Sequence, residues 1–292
     1  MAGPGSVYSF WKTVQTVSPR QIEDEIAASF KLALVGTPEN RALLRAGIMT
    51  DRATDLETLD AENHLREFDD APNADAAASF AFVLYAGNPG EPVGVRGENG
   101  IPLAGTLPEV IEGMVVLRPD LTLAFARRLP RFRPIACNRL IQKTSKVNAT
   151  IAVISALPGV IPLSAIFLPV SSVADVILLT KNQIMLVMRL AAAYGQKPAY
   201  TRQVRELLGT VGSALGWRQA ARELVGLVPA GIGLAFKASI AYSGTMAVGK
   251  AAHYFYQNGR APAPDEIREV FKASDEEARV VVEEIRGNTG IV

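Results

Sequence analysis

The sequence predicts a small α/β domain followed by a mainly α-helical bundle domain, in the α+β or α/β fold class. The apolar run FKLALVG ends in a glycine before a helix-forming stretch, as at a strand-to-helix turn. Residues 148–180 contain a single charge, Asp175, which indicates buried helices. Hydrophobic residues make up 49% of the 292-residue chain, enough for a sizeable core.

Sequence patterns divide the chain into four regions. Residues 1–29 are predicted as a helical lead-in, because apolar residues recur there at helical spacing. Residues 30–133 are the α/β domain and residues 134–259 an apolar helical domain. Residues 260–292 are predicted to be a linker and a charged, amphipathic C-terminal helix from Asp265 to Ile285.

Three predicted strands define the α/β domain: FKLALVG, HLREFDD and ASFAFVLYAG. A helix begins near Glu39, between the first two strands. The segment GNPGEPVGVRGENGIP is predicted as a loop from its glycine and proline content. The stretches EVIEGMVVLRP and TLAFARRLP add shorter elements. This order suits a sheet with helices on its faces.

The helical domain begins with a predicted helix from about Pro134 to Ala156, where Pro158 stops it. The stretch NQIMLVMRLAAAYG is another helix, closed by Gly195. A later helix, AGIGLAFKASIAYSGTMAVGKAAHYFYQ, has a small residue at every fourth position, which lets helices approach closely. These small residues are Gly231, Ala235, Ser239, Ser243, Ala247 and Ala251.

Residues 148–180 are apolar enough to raise the question of a membrane segment, since about 20 apolar residues span a bilayer. Three prolines divide the stretch into shorter pieces, and basic residues flank both ends, which favours two cytoplasmic ends. We therefore expect a helical hairpin between Thr150 and Leu179, broken around Pro158–Pro162. It is either packed in a bundle or re-entrant in the inner membrane of an otherwise cytoplasmic protein.

The turn after the first strand has the position of a phosphate-binding loop but lacks its chemistry. Such a loop reads G-x-x-x-x-G-K-[ST], and its lysine, hydroxyl and backbone N–H groups hold phosphate and magnesium. Here the chain reads GTPENRAL from Gly36, and Pro38 removes one N–H donor. The loop of Gly36, Thr37, Pro38 and Arg41 is therefore predicted to be degenerate. Arg41 could still meet an anion at the helix N-terminus, but a turn without nucleotide is favoured.

Composition excludes several classes of function. The net charge of +1 provides no overall field to recruit nucleic acid. One cysteine, Cys137, cannot form an intramolecular disulfide, and with two histidines it cannot form a Cys/His zinc site. No G-x-S-x-G nucleophile motif is present. We expect no catalytic residues, no metal site and no cofactor.

Candidate interaction residues in the apolar helices are polar side chains, namely Lys181, Asn182, Gln183, Tyr242, Thr245 and Lys250. For the first three, a helix start with side chains facing water is favoured over a site for a headgroup or partner. For the last three, hydrogen bonds between helices are favoured over a polar pocket.

A basic group stands out in a chain of almost zero net charge. It could bind anionic lipid, or pair with the acidic run at residues 57–75, which is at least as well supported. The group comprises Arg127, Arg128, Arg131, Arg133, Arg139, Lys143 and Lys146.

The strings LTKNQIMLVMRLAAAYG, GWRQAARELVGLVP and KASIAYSGTMAVGKAAHYF carry a family resemblance. Residues 148–257 resemble the GTPase-associated, YcjF-type helical domain, a family of unknown function. The strings L-A-x-x-Y-G at residues 190–195 and A-Y-x-G-T at residues 241–245 carry most of it. The resemblance implies a bacterial protein that works with a GTPase, in some members at the inner membrane, and no established active site. Residues 30–133 would then take the place of a GTPase-like domain.

Three functions compete on this evidence. The leading one is a non-catalytic regulatory or scaffold protein, GTPase-associated, with a protein partner such as a GTPase and a place at the cytoplasmic face of a membrane. The second is a nucleotide hydrolase with an aberrant phosphate loop, which the missing G-K-[ST] opposes. The third is a membrane-inserting helical protein, which Lys237 and Lys250 within an apolar helix oppose.

Overall fold

The computed structural model describes residues 18–50, 53–88, 90–97, 102–155, 171–198 and 234–289. These residues contain ten α-helices and a five-stranded mixed sheet, which confirms the predicted mixture of an α/β part with a helical C-terminal region. The chain divides into two compact units. The sheet unit comprises residues 20–138 and 192–196, and the helical unit comprises residues 1–19, 139–191 and 197–292.

The sheet combines three parallel strands with an antiparallel extension. Its strands are β1 (Leu32–Val35), β2 (Leu65–Phe68), β3 (Phe82–Tyr85), β4 (Val93–Gly97) and β5 (Pro102–Gly105). They lie in the order β2-β1-β3-β4-β5. Central β1 pairs in parallel with β2 and β3, while β4 and β5 are added antiparallel. The first three strands were predicted correctly.

The prediction of a loop over residues 87–102 is wrong, because β4 lies within it and β5 begins at its end. Gly94 of β4 pairs with Tyr85 of β3, and a Cβ added at Gly94 would lie 3.6 Å from the Tyr85 Cβ. The neighbouring strand thus supplies the ladder hydrogen bonds and the side chain that packs over the glycine. Tertiary pairing overrides the local preference for a turn.

Six α-helices and the 3-10 helix Pro130–Phe132 lie in the described part of the sheet unit. The α-helices are α1 (Arg20–Ala27), α2 (Pro38–Met49), α3 (Asp55–Glu62), α4 (Ala74–Ala77), α5 (Leu107–Leu117) and α6 (Thr122–Arg128). Helix α2 follows β1 directly, with Thr37 as its N-cap and Pro38 at its first position. Helix α3 starts with a capping box, in which Thr54 and Glu57 satisfy each other's backbone N–H groups.

The main core lies on one face of the sheet. Side chains alternate between faces along a strand, so Leu32 and Leu34 point to this face while Ala33 and Val35 point to the other. Helices α2, α5 and α6 cover the first face. Its fully buried members include Leu32, Leu34, Leu84, Ile48, Ile111, Met114 and Phe125. The second face has a much smaller cluster around Ala33, Val35, Phe80 and Val83.

The described residues that follow form four long helices: α7 (Arg133–Ser155), α8 (Ser171–Ala193), α9 (Leu234–Asn258) and α10 (Pro264–Thr289). The predicted start of α7 is confirmed to within one residue, and its predicted end at Ala156 lies outside the described residues. Gly195 closes α8 as predicted: its φ is +87° and its N–H donates to the Ala192 carbonyl at 3.1 Å. The predicted C-terminal amphipathic helix is confirmed as α10, whose Ile267 and Val282 are buried.

Burial was predicted for Ala235, Ser239 and Ser243 of the row of small residues, and it is confirmed for Ser239 and Ser243, while the side chain of Ala235 lies outside the described part. A Cβ added at Gly249 of the same helix would lie 2.7 Å from Cγ1 of Ile141 on α7 and 3.1 Å from Cδ2 of Leu186 on α8. Helices α7 and α8 therefore both approach α9 closely at Gly249. Gly231, the first member of the predicted row, lies outside the described residues.

None of the helices in the described parts of the chain is long and apolar enough to cross a membrane. The predicted break of the helical hairpin, at Pro158–Pro162, lies outside the described residues.

Replacing Ser243 by leucine should overpack the buried side of α9 at this position. The serine is fully buried, so the larger side chain should lower the free energy of unfolding by about 1–3 kcal/mol, measured by urea denaturation. Ala273→Leu on the exposed side of α10 is the matched control and should change it by less than about 0.5 kcal/mol. If both variants unfold at the wild-type midpoint, α9 does not pack at Ser243.

Candidate functional site

The carboxyl ends of β1, β2 and β3 form the candidate site. Ligands of open α/β sheets bind at this edge, next to the point where successive connections run to opposite sides. Here β1 is central, with β2 on one side and β3 on the other. The segments that leave these strands begin at Gly36, Asp69 and Ala86, so their chemistry decides what the edge can bind.

Gly36 is held in close contact with the segment that follows β3. Its φ is +145°, and an added Cβ would lie 2.8 Å from the Ala86 carbonyl oxygen, so only glycine fits here. The Ala86 N–H in turn donates to the Val35 carbonyl at 2.8 Å. The two backbones therefore leave no crevice between Gly36 and Ala86 for a ligand.

Several backbone N–H groups of the predicted degenerate loop already have acceptors. The Gly36 N–H donates to the Phe68 carbonyl at 3.2 Å, and the Arg41 N–H donates to the Thr37 carbonyl at 2.9 Å. The Asn40 N–H donates to the Thr37 side chain at 3.3 Å, and Pro38 has no N–H. A phosphate loop works by aiming such groups at its ligand, and here they serve the turn itself.

Arg41 lies at the centre of this edge, with only 8% of its surface exposed. Its Nη1 donates to the carbonyls of Gly36 and Phe68 and to Asp69 Oδ1, and its Nε donates to Glu67 Oε2 at 3.3 Å. Hydrogen bonds from the guanidinium to Asp69 and Glu67 raise the pKa of Arg41 above its ordinary value, against the opposing effect of burial. The anions that Arg41 meets are therefore carboxylates of its own chain.

The other side of the edge carries a further carboxylate. Asn40 at the start of α2 donates to Asn88 Oδ1 at 3.5 Å. Glu91 accepts from the Asn88 N–H at 2.9 Å and from its Nδ2 at 3.1 Å, and these hydrogen bonds lower the pKa of Glu91. Glu67, Asp69 and Glu91 together disfavour a phosphate at this edge.

The predicted polar residues of the apolar helices form a network in the helical unit. Asn148 Nδ2 on α7 donates to Thr245 Oγ1 on α9 at 2.8 Å, and Asn182 Nδ2 on α8 donates to Asn148 Oδ1 at 2.8 Å. Gln183 Nε2 also donates to Thr245 Oγ1, at 3.2 Å, while Thr245 donates to the Ala241 carbonyl at 2.7 Å. The prediction of interhelical hydrogen bonds is confirmed for Thr245.

The prediction that Lys181, Asn182 and Gln183 form a helix start facing water is wrong. Helix α8 begins ten residues earlier, at Ser171, so these residues lie within it. All three are half-buried, and the amides of Asn182 and Gln183 point to α7 and α9. The error arose because the apolar residues before Lys181 were assigned to a separate hairpin arm.

Tyr242 and Lys250 lie further along α9. The Tyr242 hydroxyl donates to Glu277 Oε1 on α10 at 2.8 Å, which confirms an interhelical role. Burial and the Glu277 carboxylate raise the pKa of Tyr242 above its usual range. Lys250 lines a groove of about 210 Å³ between α9 and α10, together with His253 and Glu266. Burial, assisted by the charge of Lys250, lowers the pKa of His253 from 6.5 to about 4.

The basic group does not act as one patch. Arg133 forms a salt bridge with Glu57 at 2.5 Å, so pairing with the acidic run is confirmed for this arginine. Burial raises the pKa of Glu57, but bonds from Thr54 and Arg133 outweigh it and lower the pKa overall. Outside that run, Lys146 pairs with Glu284 at 3.4 Å. The exposed members of the group are Arg131, Arg139, Lys143 and Lys146.

Arg127 and Arg128 bind backbone carbonyls within the sheet unit. Arg127 Nη1 donates to the carbonyls of Ala192 at 2.9 Å and Gln196 at 3.1 Å, and Arg128 donates to that of Ile26. Burial is the main cause that lowers the pKa of Arg127, and Arg128 and Arg133 add to it.

Cys137 on α7 is fully buried, and burial raises the pKa of its thiol to about 12. Within the described ranges, no group of three or more histidine, cysteine or acidic side chains is arranged to hold a metal ion.

Comparisons of the chain with models of protein families, with curated proteins and with solved structures find no match. The resemblance of residues 148–257 to the YcjF-type domain therefore stays a hypothesis that rests on the strings quoted above.

Sequence reasoning missed the residues that complete both polar clusters. Glu67 and Asp69 lie near the end of HLREFDD, and their position at the carboxyl end of a strand parallel to FKLALVG was a usable signal for contact with Arg41. Asn148 was assigned to the start of an apolar stretch. A lone amide on the apolar face of a helix predicts a buried hydrogen-bond partner.

Replacing Arg41 by methionine should destabilise the sheet unit. The variant leaves Glu67 and Asp69 without their shared cation and two carbonyls without their donor, so the urea midpoint should decrease clearly. Arg45→Met is the matched control, because this arginine is on the same helix, is 45% exposed and contacts Glu67 at 3.6 Å. Equal midpoints for both variants, measured by circular dichroism, would contradict the role assigned to Arg41.

Replacing His253 by glutamine should make the protein less sensitive to acid. Between pH 6.5 and about 4, the unfolded chain binds a proton at this histidine that the folded chain does not, so the free energy of unfolding falls as the pH decreases. The control His64→Gln replaces the other histidine, and in this variant the free energy of unfolding should still fall with decreasing pH as it does in the wild type. The measurement is urea denaturation across that pH range, and identical pH profiles for His253→Gln and wild type would refute the shift.

Proposed function

We propose that this protein is a non-catalytic regulatory or scaffold protein that acts by binding a protein partner. The observation that carries the proposal is the position of Arg41. At the edge where a GTPase-like sheet holds its nucleotide, this buried guanidinium is bound to Glu67, Asp69 and two backbone carbonyls of the same chain.

The alternative is a nucleotide hydrolase with an aberrant loop. Such an enzyme would need other groups to bind the phosphates in place of the missing lysine. Phosphoryl transfer depends on cations and backbone donors that converge on the phosphates. In this edge the available cation is neutralised by Glu67 and Asp69, and the N–H groups of Gly36 and Arg41 donate to carbonyls. A hydrolase would have to break these bonds before it could bind substrate, so the geometry favours the non-catalytic role.

A GTPase is the partner that the resemblance of residues 148–257 suggests, with the cytoplasmic face of a membrane as the place of action. The helical unit suits such a role, because its buried network of Asn148, Asn182 and Thr245 fixes three helices against one another. A rigid unit without an assigned catalytic group can present a constant surface to a partner.

Titration of the full chain with magnesium and GTP should give no saturable heat in a calorimeter at micromolar protein, and the same holds for ATP. The reason is that the loop lacks the lysine and the hydroxyl of a phosphate loop and uses its N–H groups internally. A GTPase with an intact G-K-[ST] motif is the positive control. Saturable binding that Arg41→Met or Thr37→Val alters would overturn the proposed function.

A further inference from the structure

We infer that helix α3 and the groove between α2 and α3 form a docking surface for a basic, amphipathic helix of a partner protein. The inference rests on the proposed function, since it assigns the place and the chemistry of partner binding. It uses only residues of the sheet unit.

Two leucines on α3 are unusually exposed. Leu56 is 79% and Leu59 is 61% exposed, although both are large and apolar. They are three residues apart, so they project from neighbouring positions on one side of the helix. Single exposed leucines are ordinary on protein surfaces, but two on adjacent turns form a continuous apolar strip, of the kind that marks a protein-binding site.

Carboxylates surround this strip. The helix DLETLDAE has four acidic residues and no basic one. Glu57 is bound to Arg133, whereas Asp55, Asp60 and Glu62 are exposed and form no ion pair with the described residues. Asp60 and Glu62 also lie in the last turn, where the negative end of the helix dipole disfavours them. Lysine or arginine side chains of a partner would relieve that repulsion.

A groove adjoins the strip at Glu62, which lines the groove and lies one turn after Leu59 on α3. It has a volume of about 240 Å³ and runs between α2 and α3, lined by Arg45 and Glu62 and by mostly apolar side chains. The latter are Ala42, Ala46, Met49, Thr58, Ala61 and Leu65. A large apolar side chain of a partner fits a groove of this size and lining, next to Leu59 one turn before Glu62 on α3.

These features fit a helix better than other ligands. An amphipathic helix places apolar anchors at a spacing of three and four residues, which matches the groove between α2 and α3 and the exposed Leu56 and Leu59 of α3. The carboxylates repel anionic lipid and nucleic acid. The surface is also preorganised, because the Thr54–Glu57 capping box and the Arg133–Glu57 salt bridge hold α3 in place.

The test uses a fluorescent synthetic peptide as a probe: an amphipathic helix of leucine and lysine of roughly five turns. Fluorescence anisotropy with the full chain should show saturable binding. Leu56→Gln combined with Leu59→Gln should weaken it about tenfold or more, and Asp60→Asn with Glu62→Gln should weaken it and reduce its dependence on salt. The control is Val280→Gln on α10, where the valine is 69% exposed, and it should bind like wild type.

Peptide controls separate shape from charge. A scrambled leucine–lysine peptide of the same composition, and a peptide with glutamate in place of lysine, should both bind weakly or not at all. If the scrambled peptide bound with the same affinity as the amphipathic one, charge alone would account for binding, and the inference would be overturned. So would an unchanged affinity of the leucine variant, or a wild-type dimer in sedimentation equilibrium that the same variant converts to monomer.

The two proposals fail separately. If the peptide test fails and the nucleotide titration is flat, only the assigned place of partner binding is wrong, and the non-catalytic role stands. Saturable GTP binding that Arg41→Met or Thr37→Val alters removes the proposed function, whatever the peptide does.

Discussion

The buried guanidinium of Arg41 is the interaction on which the carboxyl edge of the sheet depends. Arg41 is only 8% exposed, and a charge this buried is tolerated only when it is paired and hydrogen-bonded. Arg41 meets this requirement by binding the turn at Gly36, the end of β2 at Phe68, and the carboxylates of Glu67 and Asp69. The start of α2, the turn after β1 and the end of β2 are thereby fixed together.

The same principle orders the helical unit with neutral groups. Asn148, buried among apolar residues, needs partners for its amide, and it finds them on α8 and α9. Such bonds form only when the three helices are in one rotational and axial register. Small residues on α9 allow the close approach, and the polar network selects which residues face each other. In both units a buried polar side chain thus specifies an arrangement that apolar packing alone leaves less defined.

Local patterns in the sequence predicted the elements whose stability is local. A few adjacent residues determine the boundaries of these elements. Examples are the strand before Gly36, the helix that Thr37 caps and the helix that Gly195 closes. Strands β4 and β5 were not predictable in this way, because Gly94, Gly97 and Pro102 oppose a strand until β3 pairs with β4 and β4 pairs with β5. The bonds of Arg41 share this limit, since Glu67 and Asp69 are 26 and 28 residues away along the chain. Only the parallel pairing of β1 with β2 brings them within reach.

Cys137 is the chain's single cysteine, and because it is buried, its reactivity reports on local opening of the structure around it. Thiol reagents attack the thiolate, and a thiol that is both enclosed and held protonated does not react in the closed state. Modification therefore proceeds only during brief openings that expose the first turns of α7, and its rate measures how often they occur. A partner that binds the closed sheet unit decreases that rate by mass action. Binding can thus be followed in the native chain, without any added label, by the time that Cys137 takes to react.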